Sequence, residues 1–213
     1  MIAGLAKKYA PAPRKQLTFF GIAIFYFLYL IGVAIATLNG AFVENTLPPK
    51  IIQVTTLPLL LFLVGFVFNT GFYKKILKLV PVQELILLHR FRLIGSFFIV
   101  LLLLGLLPPF FALVAGLGDV ITATTSIVVA RAINNKYGYA KKLALVWNTF
   151  GLLDILVTSA TAIYLTKLSI ETGAMGVTAL AAFPFCFIPA FAPATIIFLH
   201  LSIYRKLFVK KFY

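Results

Sequence analysis

The sequence predicts an all-α membrane protein, a polytopic bundle of about six transmembrane helices with both termini in the cytoplasm. Hydrophobic residues make up 62% of the chain and charged residues only 11%, and the mean hydropathy is +1.06. Soluble domains are roughly half apolar and about a quarter charged, so this composition excludes a soluble domain. It also excludes a disordered chain, because disordered segments lack such an apolar content.

Six apolar runs are long enough to span a bilayer, which takes about 20 residues for a helix. They form a single transmembrane domain over residues 1–213, with spans at 17–38, 51–73, 85–107, 110–133, 143–166 and 183–204. The fourth run contains Gly116 and Gly118 just before Asp119, and we expect its helix to break there, with Asp119 as a cap. Pro184, Pro189 and Pro193 predict a kinked or partly unwound outer half of the sixth helix.

The distribution of basic residues predicts the orientation. Only Lys50 and Lys167, of 19 basic residues, fall in the loops assigned to the outside. Cytoplasmic loops are normally the basic ones, so both termini are expected inside. The remaining basic residues, on the inner side, are Lys7, Lys8, Arg14, Lys15, Lys74, Lys75, Lys78, Arg90, Arg92, Arg131, Lys136, Lys141, Lys142, Arg205, Lys206, Lys210 and Lys211.

The net charge of +14 is explained by these topology signals, and no nucleic-acid partner is expected. The basic segment 74–83 is interpreted as a turn between two helices, with a short amphipathic helix at the membrane surface as the alternative.

Two of the five acidic residues fall near the middle of the bilayer. Asp119 is expected roughly 15 Å from the outer end of the fourth helix, and Asp154 about 16 Å from the inner end of the fifth. Thr122 follows Asp119 on one helix face and Thr158 follows Asp154 on another. Because polar groups in hydrocarbon face the bundle interior, these residues predict a polar seam that binds a proton or cation. The alternative is a structural cap with hydroxyls bonded to their own helix.

Arg92 is the expected counter-ion of this seam. Arg90 and Arg92 lie on different helix faces, so only one can point inward, and Arg92 is the deeper. The alternative is that both extend toward the cytoplasm. If Arg92 reaches both carboxylates, the site is an ion-pair network with a structural role. If it does not, at least one carboxylate must hold a proton. Asn148 adds a further polar group near the inner end of the fifth helix.

The two histidines, His89 and His200, are expected at one depth near the cytoplasmic boundary. Two histidines on different helices could be the axial ligands of a b-type haem, or a proton relay. Ordinary interfacial histidines are the third interpretation. The single cysteine, Cys186, excludes an intramolecular disulfide and a multi-cysteine metal site, and no metal site is predicted. Walker, zinc-protease and serine-nucleophile motifs are absent from the sequence, so an enzyme is not expected.

The segment HRFRLIGSFF at 89–98, followed by LPPFFALVAGLGDV at 107–120, resembles a widespread set of uncharacterised small bacterial membrane proteins. The likeness is clear over the third and fourth helices and loose over the fifth and sixth. The resemblance implies a location in the bacterial inner (plasma) membrane. It implies no activity and no substrate.

Three functions follow from these observations. The first is a bundle that binds or translocates a small solute or proton through the polar seam. The second is a membrane redox protein linked to haem b or a quinone through His89 and His200. The third is a non-catalytic membrane subunit or scaffold. The lipid bilayer is the one firm partner, and the sequence leaves open whether the chain forms an oligomer.

Overall fold

The computed structural model describes residues 1–44 and 46–208, and every regular element within them is helical. The helices are α1 (Ile2–Tyr9), α2 (Lys15–Leu38), α3 (Ile52–Asn69), α4 (Gly71–Leu79), α5 (Val82–Leu103), α6 (Pro109–Asn134), α7 (Ala140–Thr172) and α8 (Phe187–Leu207). Six of them, α2, α3, α5, α6, α7 and α8, are long and apolar enough to span a membrane. The predicted fold class, a helical membrane bundle, is confirmed. Lys210 and Lys211, which contributed to the predicted orientation, lie outside the described residues.

Two short amphipathic helices, α1 and α4, lie together at one end of the bundle. The interpretation of segment 74–83 as a turn is corrected here, because α4 is helical from Gly71 to Leu79 and buries Ile76 and Leu77. The Thr70 side chain begins this helix by accepting a hydrogen bond from a backbone N–H of its first turn. α1 is attached nearby, since Lys8 Nζ lies 2.6 Å from a Glu84 carboxylate oxygen.

The middle of α5 is wound more tightly than its ends. Residues His89–Gly95 form a 3-10 helix between the α-helical segments Val82–Leu88 and Ser96–Leu103. A 3-10 helix has three residues per turn, so side chains three positions apart stack on one face. His89, Arg92 and Gly95 are therefore buried together, whereas Arg90 is exposed.

The expected break in the fourth spanning helix is wrong, because α6 runs uninterrupted through Gly116 and Gly118. Asp119 does not cap a helix; its side chain reaches across to α5. Glycines in membrane helices often serve close packing between helices rather than helix ends. In α8 the helix begins after Pro184, and Pro193 lies inside it.

The interior of the bundle consists of α5, α6, α7 and α8, with α3 packed on α8 and α2 at the periphery. Two apolar clusters lie in this interior, and α5, α6 and α7 each contribute to both of them, one on each side of their charged residue. The cluster nearest α1 and α4 includes Leu88, Val129 and Trp147, and the other includes Phe98, Ala115 and Ala162. Arg92, Asp119 and Asp154 thus lie between two apolar layers.

Candidate functional site

Arg92 is the centre of the polar site. It is fully buried, and its guanidinium contacts α6, α7 and, through His200, α8. Its Nε donates to Asp119 Oδ1 on α6 at 2.6 Å, and its Nη2 donates to Asp154 Oδ2 on α7. Its Nη1 donates to the backbone carbonyl of Gly151, also on α7, at 3.0 Å. The structure therefore brings together Arg92, Asp119 and Asp154, and Arg92 does not extend to the membrane surface.

The charges of this site do not balance when both carboxylates are ionised. One guanidinium faces two carboxylates, so these three side chains carry one net negative charge. Both carboxylates are little exposed, with 11% of the Asp119 side chain and 8% of the Asp154 side chain accessible. An uncompensated charge in such surroundings is costly.

His200 of α8 and Asn148 of α7 hold Arg92 from a fourth side. The Asn148 amide nitrogen donates to the His200 backbone carbonyl at 3.2 Å, which turns the amide oxygen toward His200 Nδ1, 2.8 Å away. An oxygen acceptor at Nδ1 places the imidazole proton there. His200 Nε2 then carries a lone pair, and it faces Arg92 Nη1 at 3.4 Å as an acceptor. His200 is thereby neutral and serves to position Arg92.

His89 lies next to this network without joining it. Its ring centroid is 4.2 Å from that of His200, and it packs edge-on against Trp147. It is fully buried, and neither of its nitrogens has a hydrogen-bond partner among the described residues. Both histidines are therefore buried inside the bundle and in contact with each other.

Three glycines make room for the charged side chains. A Cβ on Gly118 would overlap the Asp154 carboxylate, and a Cβ on Gly95 would overlap Asp119. A Cβ on Gly151 would lie 2.7 Å from Cε1 of His200. Gly95 and Gly151 were not predicted as parts of the site, and Gly118 was interpreted as part of a helix break. The sequence feature that could have identified them is their spacing, because each glycine lies within three residues of a charged residue of the site.

Two threonines lie about one helical turn from the aspartates, Thr122 after Asp119 on α6 and Thr158 after Asp154 on α7. Thr122 Oγ1 and Thr158 Oγ1 are buried and have no hydrogen-bond partner among the described residues. Trp147 is buried, and its indole N–H donates to Thr125 Oγ1 at 3.1 Å. Buried polar groups in proteins are nearly always paired, so the unpaired hydroxyls mark places where a further polar group can bind.

The arrangement of the histidines does not fit a bis-histidine haem. A haem plane must pass between its two axial imidazoles. Here the two rings are in direct contact, and both nitrogens of His200 already face Asn148 and Arg92. In residues 1–44 and 46–208 there is also no group of three or more His, Cys, Asp or Glu side chains placed to hold a metal ion.

Comparison with known proteins gives a family without an assigned activity. A family model described as a domain of unknown function, DUF8737, matches residues 49–208, more than half of the chain. This segment contains all the residues of the site and leaves out α1 and α2. No curated protein and no solved structure matches the chain. This match agrees with the resemblance to an uncharacterised family. The chain belongs to the DUF8737 family.

Proposed function

We propose that this integral membrane protein binds a proton at Arg92, Asp119 and Asp154. It uses that proton to move a small solute across the membrane, or it passes the proton itself. The observation that carries the proposal is the charge imbalance: one buried guanidinium faces two carboxylates that are little exposed, so the cluster is neutral only when one proton is bound. Ionisable residues inside membrane bundles commonly mark such pathways.

The charge balance favours a proton as the bound species. One added proton on either carboxylate makes the three side chains neutral overall, which removes the cost of a buried net charge. A metal cation would have to approach the Arg92 guanidinium, which repels it. A single proton is therefore the smallest positive charge that can neutralise the three side chains.

The geometry supports two alternative pairings of Arg92. With a proton on Asp154, the guanidinium keeps its bond to Asp119 through Nε; with a proton on Asp119, it keeps its bond to Asp154 through Nη2. Gly151 and His200 hold Nη1 in both cases. A site with two arrangements of similar energy can respond to protons arriving from either side of the membrane.

The unpaired polar groups around the site support a small polar solute as the cargo. Thr122 and Thr158 present free hydroxyls, and His89 presents two free ring nitrogens. Each can hydrogen-bond to a ligand with hydroxyl, amine or carbonyl groups. The proposal places these residues, together with Asn148, around the bound solute or proton.

The test is proton movement in liposomes that contain the purified protein and a trapped pH-sensitive dye. A potassium gradient with valinomycin supplies the driving voltage. We expect wild-type liposomes to change internal pH faster than empty ones, and Asp119→Asn and Asp154→Asn each to lower this rate at least tenfold.

The matched control is Glu44→Gln, which removes a carboxylate from an exposed ion pair with Lys50 outside the site. It should keep the wild-type rate. Equal rates for wild type and the two aspartate variants, all of them correctly folded, would contradict the proposal. If the wild type moves no protons by itself, the pH-dye measurement is repeated with polar solutes added outside the liposomes. The carrier proposal is rejected if no solute produces a pH change in wild-type liposomes.

A non-transporting membrane subunit or scaffold is the second candidate. It is favoured by the observation that Arg92 reaches both carboxylates and that α6 is unbroken. In that case the network serves stability alone. The aspartate variants would then unfold more easily, and no solute or proton would cross in the wild type.

A further inference from the structure

A large apolar cavity lies between α2 and the rest of the bundle, at the end occupied by α1 and α4. Its volume is about 640 Å³, and α1, α2, α3, α4, α5 and α8 all contribute to its wall. Phe25, Phe62, Leu63 and Phe198 are among the side chains that line it. The volume lies in the range of small-molecule sites. The cavity exists because α2 packs loosely, with only Thr18 and Val33 of its residues buried.

One end of this cavity is cationic. Arg14 lines it just before α2, and its side chain is exposed. Among the described residues, Arg14 has no ion pair and no side-chain hydrogen bond, so its guanidinium is available to an anion. The hydroxyl of Thr18, one helical turn further into the cavity, donates to the Arg14 carbonyl at 2.8 Å. The cavity therefore combines an apolar interior with a single cationic end.

The surroundings of Arg14 strengthen this positive charge. The nearby acidic residue Glu84 is paired with Lys8 and does not neutralise the remaining basic residues. The basic residues of α1, α4 and the start of α2 are Lys7, Lys8, Arg14, Lys15, Lys74, Lys75 and Lys78. Such a cluster at the end of membrane helices attracts anionic headgroups.

We propose that this cavity binds one anionic phospholipid, with its acyl chains between α2 and α3 and its phosphate on Arg14. An amphiphile matches the site because one end is charged and the rest is apolar. Leu17 of α2 and Phe62 of α3 line the cavity and are exposed on spanning helices, so bilayer lipids have access to it. The family model matches residues 49–208. The part of the cavity wall that α1 and α2 form therefore lies outside the matched segment.

The experiment is native mass spectrometry of the detergent-solubilised full chain with dioleoylphosphatidylglycerol or dioleoylphosphatidylcholine added. We expect one bound lipid per chain and a preference for phosphatidylglycerol of roughly fivefold, the effect of one basic residue near a headgroup. Arg14→Gln should lower this preference, with the lysines of α1, α2 and α4 supplying what remains of it. Arg131→Gln removes the same charge from an exposed residue that does not line the cavity, and it should leave the preference unchanged.

A second variant tests the apolar part of the site. Gly21 lines the cavity, and a Cβ there would meet nothing within 4 Å, so Gly21→Phe should fold and fill part of the space. Retention of both lipids should then fall, with helix content unchanged in circular dichroism. Equal retention of both lipids by the wild type would overturn the proposal. So would an equal effect of Arg14→Gln and Arg131→Gln, or normal lipid retention in Gly21→Phe.

Discussion

Adding one methyl group at Gly118 should disrupt the buried ion pair without touching any charged residue. In Gly118→Ala the new Cβ would overlap the Asp154 carboxylate, which must move off Arg92 Nη2 or force α6 and α7 apart. Breaking a buried ion pair costs about 3–5 kcal/mol. Alanine is a better helix former than glycine by about 1 kcal/mol, which offsets part of the loss.

The expected net effect is a loss of about 2–4 kcal/mol of unfolding free energy. The assay is reversible unfolding in mixed micelles with increasing dodecyl sulfate, followed by circular dichroism. Gly32→Ala is the matched control, because a Cβ at Gly32 of α2 would meet nothing within 4 Å. That variant should be as stable as the wild type or slightly more stable.

A double variant separates the steric effect on Asp154 from a general packing effect. In the background of Asp154→Ala the overlapping carboxylate is gone, so adding Gly118→Ala should cost little further stability. The reasoning is refuted if Gly118→Ala is as stable as Gly32→Ala. It is also refuted if Gly118→Ala costs the same with and without Asp154, because the methyl group would then act on something other than the ion pair.

Three further predictions concern residues around the site and at α1. Arg92→Lys keeps the charge, but a lysine cannot bond to Asp119, Asp154 and Gly151 together. Unfolding should therefore begin at a lower fraction of dodecyl sulfate, and an unchanged unfolding midpoint would count against the network. Asn148→Leu leaves His200 Nδ1 without its acceptor and should cost about 1–3 kcal/mol in the same assay, whereas no change would show that His200 is held in another way. The hydrogen bond with Glu84 raises the pKa of Lys8 above its ordinary value of 10.5, so the Lys8–Glu84 ion pair is complete from neutral pH up to pH 10.5 and is lost as the pH rises through the raised pKa. Protection of the α1 amides, measured relative to the intrinsic exchange rate at each pH, should fall over that range and should already be lower at neutral pH in Glu84→Gln; unchanged protection would show that the ion pair does not hold α1.

The meeting of Arg92 with the two aspartates is one of two outcomes that the sequence allows. Asp119 and Asp154 fall at similar depths on different helices, and Arg92 is the deeper of two arginines on a third. A charged side chain inside a bundle needs a partner, but an arginine near a helix end can instead extend to the membrane surface. The structure shows the first outcome. The role of the contact does not follow from the sequence, because pairing serves both a carrier and a scaffold.

The local geometry of the site could not be predicted, since it depends on contacts between helices. Gly118 beside Asp119 looked like a helix break, but the missing Cβ instead provides space for Asp154 of α7. The 3-10 winding of α5 brings His89 and Arg92 onto one face, and nothing in the local sequence predicts that winding. Counting residues along each helix predicts one shared depth for His89 and His200, but it does not predict that both side chains are buried and in contact.

The central claim is that the Arg92 cluster holds one proton at neutral pH, and infrared spectroscopy of the protein in lipid tests it most directly. We expect the C=O stretch of one protonated carboxylic acid at pH 7 in the wild type. Asp119→Asn or Asp154→Asn should abolish that band, because Arg92 then pairs with a single ionised carboxylate. Glu44→Gln should leave the band unchanged. A spectrum without a protonated carboxylic acid at pH 7, with both aspartates ionised beside Arg92, would contradict the account and favour a purely structural network.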